Sequence, residues 1–235
     1  MTAAVSSLPT SSPSTSSRVW LITGASRGIG ARIAEAALAQ GDVVVATARD
    51  AASIEKRFGV QKALLPLALD VTDEAQARNV VGAALDRFGR IDVLVNNAGY
   101  GLLGAVEEAT ADEVRRLYDT NVFGLLHVTR AVLPAMRAQR SGHVINISSL
   151  GGVQSAAGFG LYCSTKFAVE GISEALHAEL APLGIHTTVV EPGYFRTEFL
   201  DGASLAVSPR VLDDYAPTAG AVREAARRIN LNQPR

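Results

Sequence analysis

Residues 19–30 read Val19-Trp20-Leu21-Ile22-Thr23-Gly24-Ala25-Ser26-Arg27-Gly28-Ile29-Gly30. The first five form a short apolar run of the kind that makes a buried strand. Three glycines follow at Gly-x-x-x-Gly-x-Gly spacing. An amphipathic pattern then runs from about Ile29 to Gln40 and stops at Gly41, as a helix-ending glycine should. Strand, Gly-rich turn and helix in this order suggest a phosphate cradle. Glycine lets the backbone turn tightly and approach a phosphate, and the helix start offers free N–H groups and a positive dipole end. Candidate contacts in this turn are Gly24, Ser26, Arg27, Gly28, Ile29 and Gly30. A rival reading exists. Gly24-Ala25-Ser26-Arg27-Gly28 also matches Gly-x-Ser-x-Gly, the nucleophile elbow of serine hydrolases. That reading needs a preceding loop to donate an oxyanion N–H. Only a Ser/Thr-rich tail precedes the strand, so the hydrolase using Ser26 is the remoter alternative.

Outward from this unit the pattern repeats. Strands are predicted at Val43 to Ala48, Ala63 to Leu69, Val93 to Asn96, His143 to Ile147 and Thr187 to Val190. Helices are predicted at Ala51 to Phe58, Asp73 to Phe88, Ala111 to Arg137 with a bend at Pro134, Phe159 to Leu180, and Ala219 to Ile229. Thr72 or Asp73 would cap the third helix. Six apolar strands alternating with helices argue for an α/β fold, a single doubly wound parallel sheet of the Rossmann type. With no internal repeat and no linker after residue 18, residues 18–235 read as one domain. Residues 1–17, rich in Ser and Thr with Pro9 and Pro13, read as a disordered tail.

Composition narrows the function. The 235 residues carry a net charge of −1 and no basic run, which points away from nucleic acid and anionic membranes. No apolar run approaches the ~18 residues of a membrane-spanning helix. The single Cys163 excludes a disulfide framework within the chain and a cysteine-rich zinc site, and it fits a reducing, cytoplasmic compartment. His127, His143, His177 and His186 form no ligand-like cluster, so no metal is predicted.

Two further places carry chemistry. Ala48 and Arg49 end the second strand, where an NAD site usually places a carboxylate for the ribose hydroxyls. An arginine there suits a 2′-phosphate, and with Arg27 from the turn it favours NADP. Asp70, ending the third strand, could bond the adenine edge or belong to the next helix cap. The second place is Tyr162-Cys163-Ser164-Thr165-Lys166. Residues at i and i+4 share a helix face, so an ammonium would stand near a phenol. Moving a phenol from pKa ~10 toward ~7 takes about 4 kcal/mol, and a fixed neighbouring cation is one source of it.

Taken together the chain resembles the short-chain dehydrogenases/reductases. The matching features are Thr23-Gly24-x-x-x-Gly28-x-Gly30, Asp70-Val71, Asn96-Asn97-Ala98-Gly99, Asn121-Val122, Ser148-Ser149, Tyr162-x-x-x-Lys166 and Pro192-Gly193-x-x-x-Thr197, in the expected order. Gly-Tyr-Gly around residue 100 and Ala-Thr-Ala-Arg up to residue 49 look like the NADP-preferring reductases related to hydroxysteroid and retinol dehydrogenases. The resemblance implies a catalytic tetrad of Asn121, Ser149, Tyr162 and Lys166. Tyr162 would be the acid–base and Lys166 would tune it. Ser149 would steady the substrate oxygen, and Asn121 would kink the long helix and hold a relay water. The cofactor implied is NADP(H), against Thr23, the turn, Arg49, Asp70, Val71, Asn97, Ala98, Gly99, Tyr162, Lys166, Pro192, Gly193 and Thr197. The substrate implied is a small carbonyl or alcohol compound.

The match departs from the family after Thr197. The family's seventh strand has no counterpart before Arg235, so a truncated C-terminus, an exposed sheet edge and a weakened site are expected. A catalytically weak dinucleotide-binding protein is therefore the second reading. A homodimer through the two long helices is also expected. Residues Tyr194 to Tyr215 are expected to cover the pocket as an irregular segment. Leu150, Phe159, Tyr194, Phe195, Phe199 and Leu200 would give it an apolar lining suited to a hydrophobic substrate.

Overall fold

Short runs of Val, Ile and Leu pair side by side because their β-branched and apolar side chains need cover on both faces. The computed structural model describes residues 17–193, 198–200, 202 and 204–229. In chain order the elements are β1 (Val19–Ile22), α1 (Gly28–Ala39), β2 (Val43–Ala48), α2 (Ala51–Phe58), β3 (Leu64–Ala68), α3 (Glu74–Phe88), β4 (Val93–Asn96) and β5 (Gly101–Leu103). They continue with α4 (Ala111–Tyr118), α5 (Gly124–Gln139), β6 (Gly142–Ile147), α6 (Gly160–Leu180), β7 (Ile185–Val190), β8 (Leu205–Val207) and α7 (Ala221–Ile229). The main sheet is six-stranded and parallel, in the order β3-β2-β1-β4-β6-β7. The order reverses at β1, and this switch point opens the crevice in which such folds bind ligands.

Alternation along the strands builds two cores. Leu21, Val45, Leu94 and Val144 meet α3, α5 and α6 on one face; Ile22, Val44, Ala46 and Val95 meet α1 and α2 on the other. Each fully buried Leu or Ile contributes about 2 kcal/mol. Pro66 lies in β3, an edge strand, where its missing N–H breaks no central ladder. The opposite edge, β7, pairs only with β6 among the described residues.

Two expectations change. The long helix from Ala111 is not continuous: α4 ends at Tyr118, a π turn spans Asp119–Phe123, and α5 follows and runs through Pro134. Gly124 N donates to Asp119 O across that turn, the wide pattern of a π bulge. Gly124 also packs so closely on Val71 that an added Cβ would fall 2.6 Å from Val71 Cγ2. The stretch expected to be an irregular cover contains β8, which pairs in parallel with β5 as Gly101↔Leu205 and Leu103↔Val207. Of the two residues expected to cap α3, Asp73 does so, accepting from Ala75 N and Gln76 N at 2.8 and 3.0 Å. Asp70 instead accepts from Thr72 N and Thr72 Oγ1, holding the turn before that cap.

Candidate active site

The Gly-rich turn has the shape its sequence suggests. Gly24 and Gly28 have φ of +65° and +55°, in the left-handed region that glycine tolerates. Gly30 is needed for contact: a Cβ there would come within 2.5 Å of Gly24 O and would also strike the Asn97 side chain. Ala25 N donates to Thr47 O at 2.9 Å and fixes the turn to β2. Arg27 stands at the N-cap of α1 with no side-chain cap there, and the first residues of the helix, Gly28 and Ile29, line the cleft. Gly24, Ser26, Arg27, Gly28 and Ile29 all line that cleft. An opened backbone beside a helix start fits a diphosphate.

Thr23 does not line the cleft. Its buried hydroxyl accepts from Asn97 N and Ala98 N, both at 3.0 Å, and clamps the loop after β4. Asn97 Nδ2 returns the contact by donating to Thr23 O and Gly24 O at 2.9 and 3.0 Å. Thr23 and Asn97 thus hold two cleft loops to each other, while Asn97, Ala98 and Gly99 form part of the wall. At the far end of the cleft stand Arg49, Asp70 and Val71. Ser53, Arg116, Asp119 and Thr120 also line it and were not anticipated; they come from helix surfaces whose sequence pattern reads only as solvated. Asp50 is engaged as the cap of α2, accepting from Ala52 N at 3.0 Å.

The other end of the same 1230 Å³ cleft gathers Ser149, Tyr162, Lys166, Pro192 and Gly193. Tyr162 and Lys166 sit one turn apart on α6 and are both buried. Lys166 Nζ donates to Ile147 O at 2.8 Å and lies 5.8 Å from the centre of the Tyr162 ring. Burial pushes the Lys166 ammonium down to about 8, against a smaller upward pull from Glu170. Ser149 Oγ accepts from Gly151 N at 3.0 Å, which leaves its O–H proton to point elsewhere. Ser148 is more deeply buried, and its hydroxyl has no hydrogen-bond partner among the described residues.

Asn121 lies in the π turn. It accepts from Tyr100 N at 3.0 Å and donates to Tyr100 O and Thr165 Oγ1 at 2.9 and 3.1 Å. The bulge therefore bolts the loop after β4 to α6. Gly99 packs closely here: a Cβ would sit 3.1 Å from Asn121 Oδ1, so the amide would have to shift. Behind this layer Asn96 donates to Thr129 Oγ1 and Asn146 Oδ1, and Asn146 donates to Ser173 Oγ. This buried polar ladder ties β4, β6, α5 and α6, and pairwise spacing along the sequence does not reveal it.

Leu150, Phe159, Phe199 and Leu200 give the substrate end an apolar wall. Thr197, Tyr194 and Phe195 lie outside the described residues. Ser26 lines the cleft, yet none of the four histidines does; His127 Nδ1, for one, lies 3.0 Å from Val71 O. Among the described residues no group of three metal-ligating side chains occurs, and no helix is long and apolar enough to cross a membrane.

Comparison with known proteins points one way. The short chain dehydrogenase family matches residues 18–206. Oxidoreductase BOA17 of Botryotinia fuckeliana is 45% identical over 214 residues, 90% of this chain and 77% of that protein. The 3-ketodihydrosphingosine reductase of Bacteroides thetaiotaomicron is 42% identical over 199 residues, 85% of this chain and 72% of the relative. A short-chain dehydrogenase structure from Streptomyces avermitilis superposes with a TM-score of 0.83 at 45% identity, covering 91% of this chain and 78% of that one. Similar structures hold either cofactor. A Burkholderia phymatum enzyme has NAD (TM-score 0.80, 27% identity, 92% and 79% covered), and a serine dehydrogenase has NADP+ (0.74, 34%, 77% and 74%).

Proposed function

Since the chain belongs to the short chain dehydrogenase family of oxidoreductases, we propose that it interconverts a carbonyl and an alcohol with NADP(H) as partner. The observation that carries this reading is the cleft. One end has a phosphate cradle, and the other holds Ser149, Tyr162 and Lys166 together on one wall. The residues fit a dinucleotide because the turn of Gly24, Gly28 and Gly30 admits no side chains where the backbone must come close. When bound, that cofactor supplies the hydride.

The chain's own residues handle the proton and the charge. Tyr162 gives its phenolic proton to the carbonyl oxygen, or takes one from the alcohol. Lys166, charged below about pH 8, favours the phenolate. Ser149 keeps its acceptor side on Gly151 N and donates its own proton to the substrate oxygen, where negative charge builds. Asn121 keeps the Gly99–Tyr100 backbone against α6.

NADP is favoured because Arg27 and Arg49 face the adenosine end while Asp50 is occupied in capping α2. An apolar ketone, aldehyde or alcohol is favoured by the wall of Leu150, Phe159, Phe199 and Leu200, and by a relative named for reducing 3-ketodihydrosphingosine. The same reading has the chain act in the cytoplasm as a homodimer.

Fluorescence titration with NADPH and NADH, followed by a panel of long-chain ketones and alcohols read by nicotinamide absorbance, tests the proposal. NADPH should bind at least about tenfold tighter than NADH, and turnover should rise with substrate chain length. NADPH binding without turnover on any panel member would leave a binding protein. No NADPH binding, with a serine-directed probe labelling Ser26, would make it a hydrolase instead.

A further inference from the structure

Glu108 lies between β5 and α4, is fully buried, and takes no part in the chemistry above. Its side chain reaches into the C-terminal segment. Oε2 accepts from Ala105 N at 2.7 Å and pairs with Arg223 of α7; Oε1 accepts from Leu212 N at 3.0 Å. Its backbone carbonyl accepts from Ser208 Oγ at 2.8 Å. One residue thus meets the end of β8, the connection after it and the last helix. Burial opposes the Glu108 charge, but the Leu212 and Ala105 N–H groups and the Arg223 guanidinium outweigh it and hold the carboxyl below its ordinary range.

The segment held in this way also surrounds the reacting phenol. Leu103, Phe159, Tyr162, Cys163 and Leu205 form one apolar cluster, and Val222 and Ala226 of α7 pack on it beside Arg223. The Tyr162 and Phe199 rings lie 5.5 Å apart. The hydrogen bonds of Glu108 go to Ala105, Ser208, Leu212 and Arg223, all away from the Gly-rich turn.

We propose that Glu108 and Arg223 form a latch, a pair of positioning residues that seats residues 204–229 over Tyr162 and sets substrate affinity independently of cofactor affinity. The latch rests on the reductase reading only for its effect on turnover. The seating itself is a property of the fold. Removing one partner leaves a buried charge unpaired, whereas removing both does not. The pair should therefore behave non-additively.

The test compares Arg223→Met, Glu108→Gln and the double variant by hydrogen exchange, NADPH affinity and steady-state kinetics. Arg223→Met should speed exchange in residues 205–229 and leave β1 and β4 unchanged. It should raise substrate KM about tenfold while NADPH Kd stays within about twofold. The double variant should recover part of that loss. Unchanged exchange in 205–229, or NADPH affinity falling in step with KM, would overturn the latch. If Arg223→Met does not fold, Arg223→Lys keeps the charge with poorer geometry, and the same exchange pattern decides. Failure of the wild-type protein to bind NADPH or turn over would sink the reductase reading and leave the exchange result to judge the latch.

Discussion

Lys166 is a buried cation that donates a hydrogen bond to a backbone carbonyl, Ile147 O. Its pKa falls from 10.5 to about 8 on folding, chiefly through desolvation. The sign follows. Between about pH 8 and 10.5 the unfolded chain holds a proton that the folded chain has released, so stability rises with pH across this window. Below pH 8 the folded protein carries the full penalty, about 3 kcal/mol. Lys166→Met should therefore stabilise the cofactor-free protein at pH 7, and the gain should shrink toward pH 10. Denaturant melts at the two pH values read this directly, and a gain that is flat with pH would contradict it. The same variant should lose turnover. Tyr162→Phe should lower kcat about 10²- to 10⁴-fold and leave NADPH affinity nearly intact; full activity would refute the phenol as acid. The sequence made these two residues legible because one helical turn fixes their relation. It did not show that Ile147 supplies the acceptor, since that contact spans β6 and α6 and depends on packing.

Among the elements, the Gly-rich turn and the π turn contrast. The turn is readable from its glycine spacing, and Gly24 and Gly28 do take φ of +65° and +55°, which glycine adopts at no steric cost. Gly30→Ala should cost more than about 2 kcal/mol in a denaturant melt and weaken dinucleotide binding, because its Cβ would meet Gly24 O and Asn97. The family resemblance implies a kink at Asn121, but the π turn at Asp119–Phe123 was not readable from local pattern, because the residues of that stretch also suit a regular helix. What decides it is distant: Asn121 pairs with Tyr100 and Thr165, and Gly124 sits on Val71. Asn121→Ala leaves the Tyr100 N–H and C=O unpaired and should destabilise by about 1–3 kcal/mol. Thermal melts with and without NADPH would measure it. β5 and β8 escaped for another reason. Three residues each, Gly101-Leu102-Leu103 and Leu205-Ala206-Val207, are too few for any periodicity to register.

In the whole molecule the sheet and the C-terminal segment divide the work. Strands β1 to β4, with α1 and α2, frame the dinucleotide end, and this part of the fold was legible nearly to the residue because its strands are continuous apolar runs. Residues 205–229 meet Glu108, whose carbonyl accepts from Ser208 a hundred residues later in the chain, and local pattern carries no such information. Assembly is tested at this scale too. Phe123 at the end of the π turn and Phe167 on α6 stand 48% and 44% exposed. Light scattering should give twice the chain mass, and Phe167→Lys should give a single chain; a wild-type monomer would count against the dimer.

The parallel pairing of β5 with β8 has an evolutionary consequence. Gly101 N bonds Ser204 O and Ser208 N bonds Leu103 O, and such main-chain links are indifferent to side-chain identity. Ala206 and Val207 can therefore be exchanged with the strand kept in place, while Leu205 stays fixed by the cluster around Tyr162. Since Ala206 lines the cleft, substitutions there can reshape its wall without undoing the strand.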